Sequence, residues 1–291
     1  MTDSKPVIAV VGPGAVGGLV AWFLHRGGAN VVVVGRPASV ARITARGLHV
    51  SSTLFGEATE NVPASQTVPH GASVILAVKT FGLADTLPLI AQSQPREVLS
   101  VMNGVGHTEV LAQHLAGIPV ASGSISVEAT RTADGSIEHK SPFVRIAVPS
   151  SAEDFASAQA LADTEAELTV QGTDAEVLWS KFRFLAPMAL LTSYWQTTLG
   201  EALSKDPELT EALLTEVVAC EIANGVADTV EALTRTLGSL PATMHSSLQN
   251  DLAAGRISEL DSIGGELLRQ AQRHGLQTPT IETIVADLTA R

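Results

Sequence analysis

The sequence predicts an α/β domain built on a parallel sheet, followed by an all-α domain, and three observations predict it. The first is the alternation of short β-rich apolar runs with helical stretches through the first half of the 291-residue chain. The second is a glycine-rich turn, Gly12-Pro13-Gly14-Ala15-Val16-Gly17, set between an apolar run and a helical stretch. The third is a change of texture near Asp174, after which Leu and Ala recur at helical spacing and strand-like alternation all but disappears.

Taken in order, residues 7–11, 31–34, 74–78, 98–102 and 118–121 read as strands of a parallel sheet covered by helices. Residues 124–132 and 143–148 read as two further strands joined by the turn at Asp134-Gly135, finishing the domain with antiparallel pairing. The boundary falls near Gln171-Gly172-Thr173, where a turn precedes acids suited to a helix start. This gives a domain of residues 1–172 and a helical domain of residues 173–291. Pro187 lies inside a predicted helix, where it removes a hydrogen bond and clashes one turn back, so a kink is expected there.

The order strand, glycine turn, helix, strand over residues 8–36 is the Rossmann-like arrangement that holds a dinucleotide. Gly12 permits the tight turn, Gly14 lets a pyrophosphate approach the backbone, and Gly17 lets helix and strand pack closely. Ala15 and Val16 open the helix, whose free N–H groups point at the phosphates. Arg36 ends the second strand where an NAD site places an acid for the ribose 2′-hydroxyl. No acid stands near, and a guanidinium suits a 2′-phosphate, so the residues point to NADP(H). Ligands of open α/β sheets lie beyond the carboxyl ends of the strands. Lys79 with Thr80, and Asn103-Gly104-Val105-Gly106, follow predicted strands directly and are the candidates of the first domain. The helical domain is expected to face them across a cleft and to set substrate selectivity.

Bulk properties narrow the partners. A net charge of −12 leaves no basic stripe for a nucleic acid, and any anionic ligand must be held by local donors. The single cysteine, Cys220, suits a reducing compartment and a cytoplasmic location. Eight histidines without HxxxH or HExxH spacing give no expectation of a metal. Residues 7–24 carry no charge and follow Lys5, superficially like an export signal or a membrane span. Four glycines and Pro13 interrupt them at dinucleotide-turn spacing, so neither export nor a membrane partner is expected.

Longer pieces of the chain carry a family resemblance. GPGAVGG at 12–18, Arg36, AVKT at 77–80 and MNGVG at 102–106 are followed by WSKF at 179–182, TTLGE at 197–201, SSLQND at 246–251, GRISELDSIGG at 255–265 and HGLQTPT at 274–280. Set in this order over nearly the whole chain, they resemble the ketopantoate reductase family, the NADPH-dependent 2-dehydropantoate 2-reductases. The resemblance implies reduction of a small 2-oxo acid, which needs hydride at the carbonyl carbon and a proton at its oxygen. It implies that Lys181 is the catalytic lysine, polarising the carbonyl and delivering that proton, and that Glu259 is its acidic partner, orienting Lys181 and bonding the substrate. It implies that Ser247 hydrogen-bonds the substrate, that Asn103 lies close to both nicotinamide and substrate, and that Lys79 joins Arg36 around the 2′-phosphate.

The chain also departs from the family. Asparagines often stand four and eight residues after the catalytic lysine on one helix face, and Leu185 and Ala189 occupy those positions here. A third asparagine, three residues before the matching serine, is replaced by Met244. Three readings follow: a ketopantoate reductase of pantothenate formation, the same hydride chemistry on a less polar 2-oxo acid, or a non-catalytic NADP(H)-binding sensor. A sensor is expected to lose its proton donor before its phosphate-binding glycines, and Lys181 and Glu259 are both present. Helical second domains in dehydrogenases often build dimers, yet no coiled-coil heptad is visible here, and the sequence leaves a homodimer open.

Overall fold

The computed structural model describes residues 5–291. The strands in chain order are β1 (Val7–Val11), β2 (Asn30–Val34), β3 (Leu48–Ser52), β4 (Gly56–Glu60), β5 (Ala64–Ser65) and β6 (Ser73–Leu76). They continue with β7 (Glu97–Ser100), β8 (Val120–Ser122), β9 (Ser124–Ser126), β10 (Ala129–Arg131), β11 (Ile137–His139), β12 (Arg145–Val148) and β13 (Glu167–Val170). The helices among them are α1 (Ala15–Arg26), α2 (Pro37–Arg46), α3 (Leu83–Gln92), α4 (His107–His114) and α5 (Ala156–Ala162). Every described element after Val170 is helical: α6 (Asp174–Trp195), α7 (Leu199–Lys205), α8 (Pro207–Ala223), α9 (Val230–Ser239), α10 (Ser247–Ala253), α11 (Glu266–His274) and α12 (Pro279–Thr289). A π-helical turn, Asp261–Gly265, leads into α11. None of the described helices is long and apolar enough to cross a membrane.

Contacts divide the chain into two units. One comprises residues up to Met102 with His107–Val177; the other comprises Asn103–Gly106 with Leu178–Arg291. The sequence places a single division at residue 172. In the structure, the short loop after β7 groups with the helical unit instead of with the sheet it leaves.

The first unit is organised by a six-stranded parallel sheet in the order β5-β2-β1-β6-β7-β8. The chain runs outward from β1 to β2 on one side and to β6 on the other, so the carboxyl end of β1 lies at the reversal of strand order, where such sheets bind ligands. Successive side chains of β1 point to opposite faces. Ile8 and Val10 join Leu19, Trp22 and Phe23 in one buried cluster. Ala9 and Val11 join Val74, Leu76, Leu87 and Ile90 in another. A strand buried on both faces has no use for polar residues, which explains the unbroken apolar run VIAVV.

Two smaller sheets complete the unit, in the orders β10-β11-β3-β4 and β13-β12-β9. They correct the expectation for residues 124–148. Residues 124–132 form two strands, β9 and β10, which belong to different sheets, and Asp134-Gly135 turns β10 into β11 rather than leading to β12. The pairing is mixed: β9 and β10 pair antiparallel with β12 and β11, while β13 and β3 run parallel to the same partners. The β3–β4 hairpin leaves little trace in the sequence, because most of its residues are polar and β4 has no buried position.

In the helical unit, α6 runs unbroken through Pro187. Helix α8 packs against α7, α9, α11 and α12. Glu216 on α8 is buried, and its carboxylate accepts the backbone N–H groups of Thr280 and Ile281 at 2.9 and 2.8 Å. Those are orphan donors of the first turn of α12, which also opens with Pro279 at a position that tolerates proline. Removing the carboxylate leaves buried donors unpaired. Glu216→Ala is expected to destabilise the helical unit by about 2–3 kcal/mol, read as a lower midpoint in urea with an unchanged slope.

Candidate active site

The candidate residues fall into two sets, one in each unit. In the sheet unit the glycine turn is set by backbone bonds: Gly12 N–H donates to the Val34 carbonyl at 3.0 Å and Gly14 N–H to the Gly12 carbonyl at 2.8 Å. Gly12 has φ +99°, and a Cβ there would lie 2.7 Å from Val78 Cγ1 and 2.9 Å from Val78 N. Only glycine satisfies both the dihedral and the close approach. A Cβ at Gly17 would run into the Gly12 carbonyl oxygen, whereas one at Gly14 would meet nothing within 4 Å. Space is therefore open in front of Gly14, which caps α1 without any side-chain hydrogen bond. The first turn of α1, beginning Ala15-Val16-Gly17, contains no acid. Its N–H groups have no partner within the helix, so the turn presents donors and a positive dipole end to an anion.

Arg36 follows β2 beside this turn. Its neighbour Gly35 abuts Pro13, where a Cβ would lie 2.7 Å from Pro13 Cγ. The Arg36 side chain is exposed, and among the described residues nothing pairs with it. Lys79 is exposed just beyond β6, with its ammonium 5.9 Å from the centre of the Phe81 ring. A residue that the sequence does not single out, Arg131, also reaches this turn. It ends β10, and its Nη1 donates to the Pro13 carbonyl at 3.4 Å, bringing another guanidinium to the glycines. No local signal announces this, because 118 residues separate the two. Open backbone donors, an unpaired guanidinium at the end of β2 and no competing acid on α1 fit a dinucleotide bearing a 2′-phosphate.

In the helical unit Lys181 and Asn103 meet. Lys181 stands on α6 between Trp179 and Phe182, both fully buried, whose rings pack edge to face at 5.3 Å and fix the helix rotation. Lys181 Nζ donates to Asn103 Oδ1 at 2.9 Å. That bond uses the amide oxygen and leaves the Asn103 NH2 group as a donor. Burial lowers the Lys181 pKa to about 8, and the charge of Glu259 opposes that fall. Glu259 itself is buried and immediately precedes the segment containing the π-helical turn. Such turns recur at functional sites.

The remaining candidates are placed as follows. Ser247 is exposed at the first position of α10, and the helix is capped by Ser246, whose Oγ accepts the Gln249 N–H at 3.0 Å. Leu185 is half-buried and Ala189 fully buried, one and two turns beyond Lys181 on the same face of α6. Met244 is half-buried in the connection before α10, its carbonyl accepting the Leu199 N–H at 2.9 Å. The structure thus brings Lys181, Asn103 and Glu259 into mutual influence, while Gly12, Gly14, Gly17, Arg36 and Lys79 lie in the sheet unit.

Comparison with known proteins places the chain. The family model described as ketopantoate reductase PanE/ApbA matches residues 8–152, and the model for the C-terminal part of the same family matches residues 175–291. The 2-dehydropantoate 2-reductase of Halobacterium salinarum is 27% identical, with 97% of each chain covered. A PanE/ApbA family ketopantoate reductase from Ralstonia eutropha superposes with a TM-score of 0.87 at 24% identity, covering 98% of this chain and 97% of the other. A dimeric ketopantoate reductase from Staphylococcus aureus superposes with a TM-score of 0.82 at 20% identity, with 98% of each chain covered. With both family models matched in order along it, the chain belongs to the ketopantoate reductase PanE/ApbA family of oxidoreductases.

Proposed function

We propose that this protein is an NADPH-dependent 2-dehydropantoate 2-reductase in which Lys181 is the general acid. The observation that carries the reading is the half-buried Lys181 ammonium, hydrogen-bonded to Asn103 and influenced by Glu259. When bound, NADPH supplies hydride to the carbonyl carbon of a 2-oxo acid. Lys181 points a proton at the carbonyl oxygen, stabilising the negative charge that develops there and then neutralising it. With a pKa near 8 it is largely protonated at neutral pH and still acidic enough to give the proton up. Asn103 holds the ammonium in direction and offers its NH2 group to cofactor and substrate, Glu259 orients Lys181, and Ser247 bonds the substrate. The glycine turn with Ala15 and Val16 receives the pyrophosphate, and Arg36 with Lys79 receives the 2′-phosphate. A homodimer and a cytoplasmic location belong to the same proposal, supported by the dimeric Staphylococcus aureus relative and by the single cysteine.

A second reading, the same chemistry on a less polar 2-oxo acid, is favoured by one observation. The face of α6 beyond Lys181 carries Leu185 and Ala189, which offer no hydrogen bond to the hydroxyl end of ketopantoate. A panel of 2-oxo acids followed by NADPH oxidation decides between the two. Selective use of ketopantoate supports the first reading, and higher kcat/KM for apolar 2-oxo acids the second.

Lys181→Ala is expected to lower kcat by about 10²–10⁴-fold, the usual worth of a positioned general acid, while leaving the NADPH dissociation constant near that of the wild type. Because the ammonium is the active form, the rate of reduction should be flat below the Lys181 pKa and fall tenfold per pH unit above about 8. Arg36→Ala should narrow the preference for NADPH over NADH by about tenfold or more, as expected when a charged hydrogen bond is lost. An unchanged preference in a paired cofactor titration would remove the assignment of the 2′-phosphate to Arg36.

A further inference from the structure

The loop that carries Asn103 rests on the segment that follows Glu259. Gly104 has φ +88°, and a Cβ there would lie 2.9 Å from the Ser262 carbonyl oxygen. A Cβ at Gly106 would lie 2.5 Å from the carboxyl carbon of Glu266 and 2.7 Å from its Oε1. Both glycines therefore touch the stretch Ser262–Glu266, which spans the end of the π-helical turn and the start of α11.

Glu266 is an unusual residue to find there. It is only 5% exposed, and a carboxylate so buried is costly unless donors hold it. Arg269 Nε donates to Oε2 at 2.8 Å and Gln270 Nε2 to Oε1 at 2.7 Å. Arg269 is tied back in turn to Asp261, through Oδ1 at 2.9 Å and the carbonyl oxygen at 2.8 Å. Arg269, Gln270 and Asp261 thus fix one carboxylate against one glycine of the Asn103 loop. Neither they nor Glu266 have a role in the reaction described above.

We propose that Glu266 is a positioning residue: its carboxylate, gripped by Arg269 and Gln270, is the stop against which Gly106 seats the loop that delivers Asn103 to the Lys181 ammonium. Glu259 lies three residues before this stretch, so the chain that backs the Asn103 loop leads on from the residue whose charge supports Lys181. Gly106 is required for its size and not for its backbone, since its φ is not in the left-handed region. Alanine there tests space alone. The proposal rests on the reading of Lys181 as the proton donor, but the test does not depend on turnover.

The experiment measures the pKa of Lys181 by competitive acetylation across pH in the full chain, with mass spectrometry of the Lys181 peptide, alongside kcat, NADPH affinity and thermal midpoint. Gly106→Ala displaces the loop and withdraws the acceptor from the ammonium. It should lower the Lys181 pKa and reduce kcat on the order of tenfold or more, with NADPH affinity unchanged. Glu266→Ala should shift the pKa in the same direction, while Glu266→Gln, which keeps the shape and loses the charge, should stay near the wild type. The double variant Gly106→Ala/Glu266→Ala, in which the methyl group occupies the space vacated by the carboxylate, should lie closer to the wild type than Gly106→Ala alone. An unshifted Lys181 pKa in both single variants would overturn the proposal, as would a Gln variant that behaves like Ala or a double variant with additive losses. Should Gly106→Ala fail to fold, the Ala and Gln variants of Glu266 still decide the matter. Wild-type protein that reduces no 2-oxo acid would refute the functional reading, while the acetylation series would still decide this one.

Discussion

The helical unit turns on one electrostatic balance: the Lys181 ammonium is drawn partly out of water, and a neighbouring charge opposes the loss of its proton. Burial alone pushes the Lys181 pKa down, toward the neutral amine. Glu259 limits that fall with an opposing charge from a buried position, and the amide oxygen of Asn103 accepts a hydrogen bond from the ammonium at 2.9 Å. The resulting pKa of about 8 is a compromise between desolvation and the opposing charge.

The sheet unit solves the opposite electrostatic problem. A chain of net charge −12 that is to hold a polyanion needs a local exception to its own field. The exception is made largely from what is missing. Side chains are absent at Gly12 and Gly17 because none would fit, and absent at Gly14 where the space lies open. Acids are absent from the first turn of α1, and among the described residues no partner neutralises Arg36. What remains beside the turn is backbone N–H groups and the guanidinium groups of Arg36 and Arg131.

Much of this is legible in the order of residues alone. The alternation of VIAVV with a glycine turn and a second valine run leaves one physical solution, a parallel strand pair buried on both faces with a helix crossing over, and β1 and β2 pair in that way. The candidate site residues are legible as types at spacings: glycines where the backbone must be bare, Arg36 at a strand end, Lys181 between two aromatic residues. Less legible are the polar edge strands. The β3–β4 hairpin buries too few residues to print a pattern, and β9 and β10 are short enough to read as one strand although they belong to different sheets. Arg131 at the glycine turn and Glu266 against Gly106 are invisible for a different reason. Each acts on residues more than a hundred positions away, and nothing local marks a residue for a partner that distant.

The sequence by itself determined the class of each half, the backbone turn that can accept phosphates and the residue types able to move a proton, because these depend on local periodicity, on the absence of a Cβ and on intrinsic acidity. The tertiary structure decided which of those residues lie together. It grouped Asn103–Gly106 with the helical unit, set Asn103 against Lys181, and wedged a buried carboxylate behind the loop that makes this contact. A hydrogen bond at 2.9 Å and a pKa displaced to about 8 are properties of positions in space, governed by packing and desolvation, and the order of residues along the chain does not specify them.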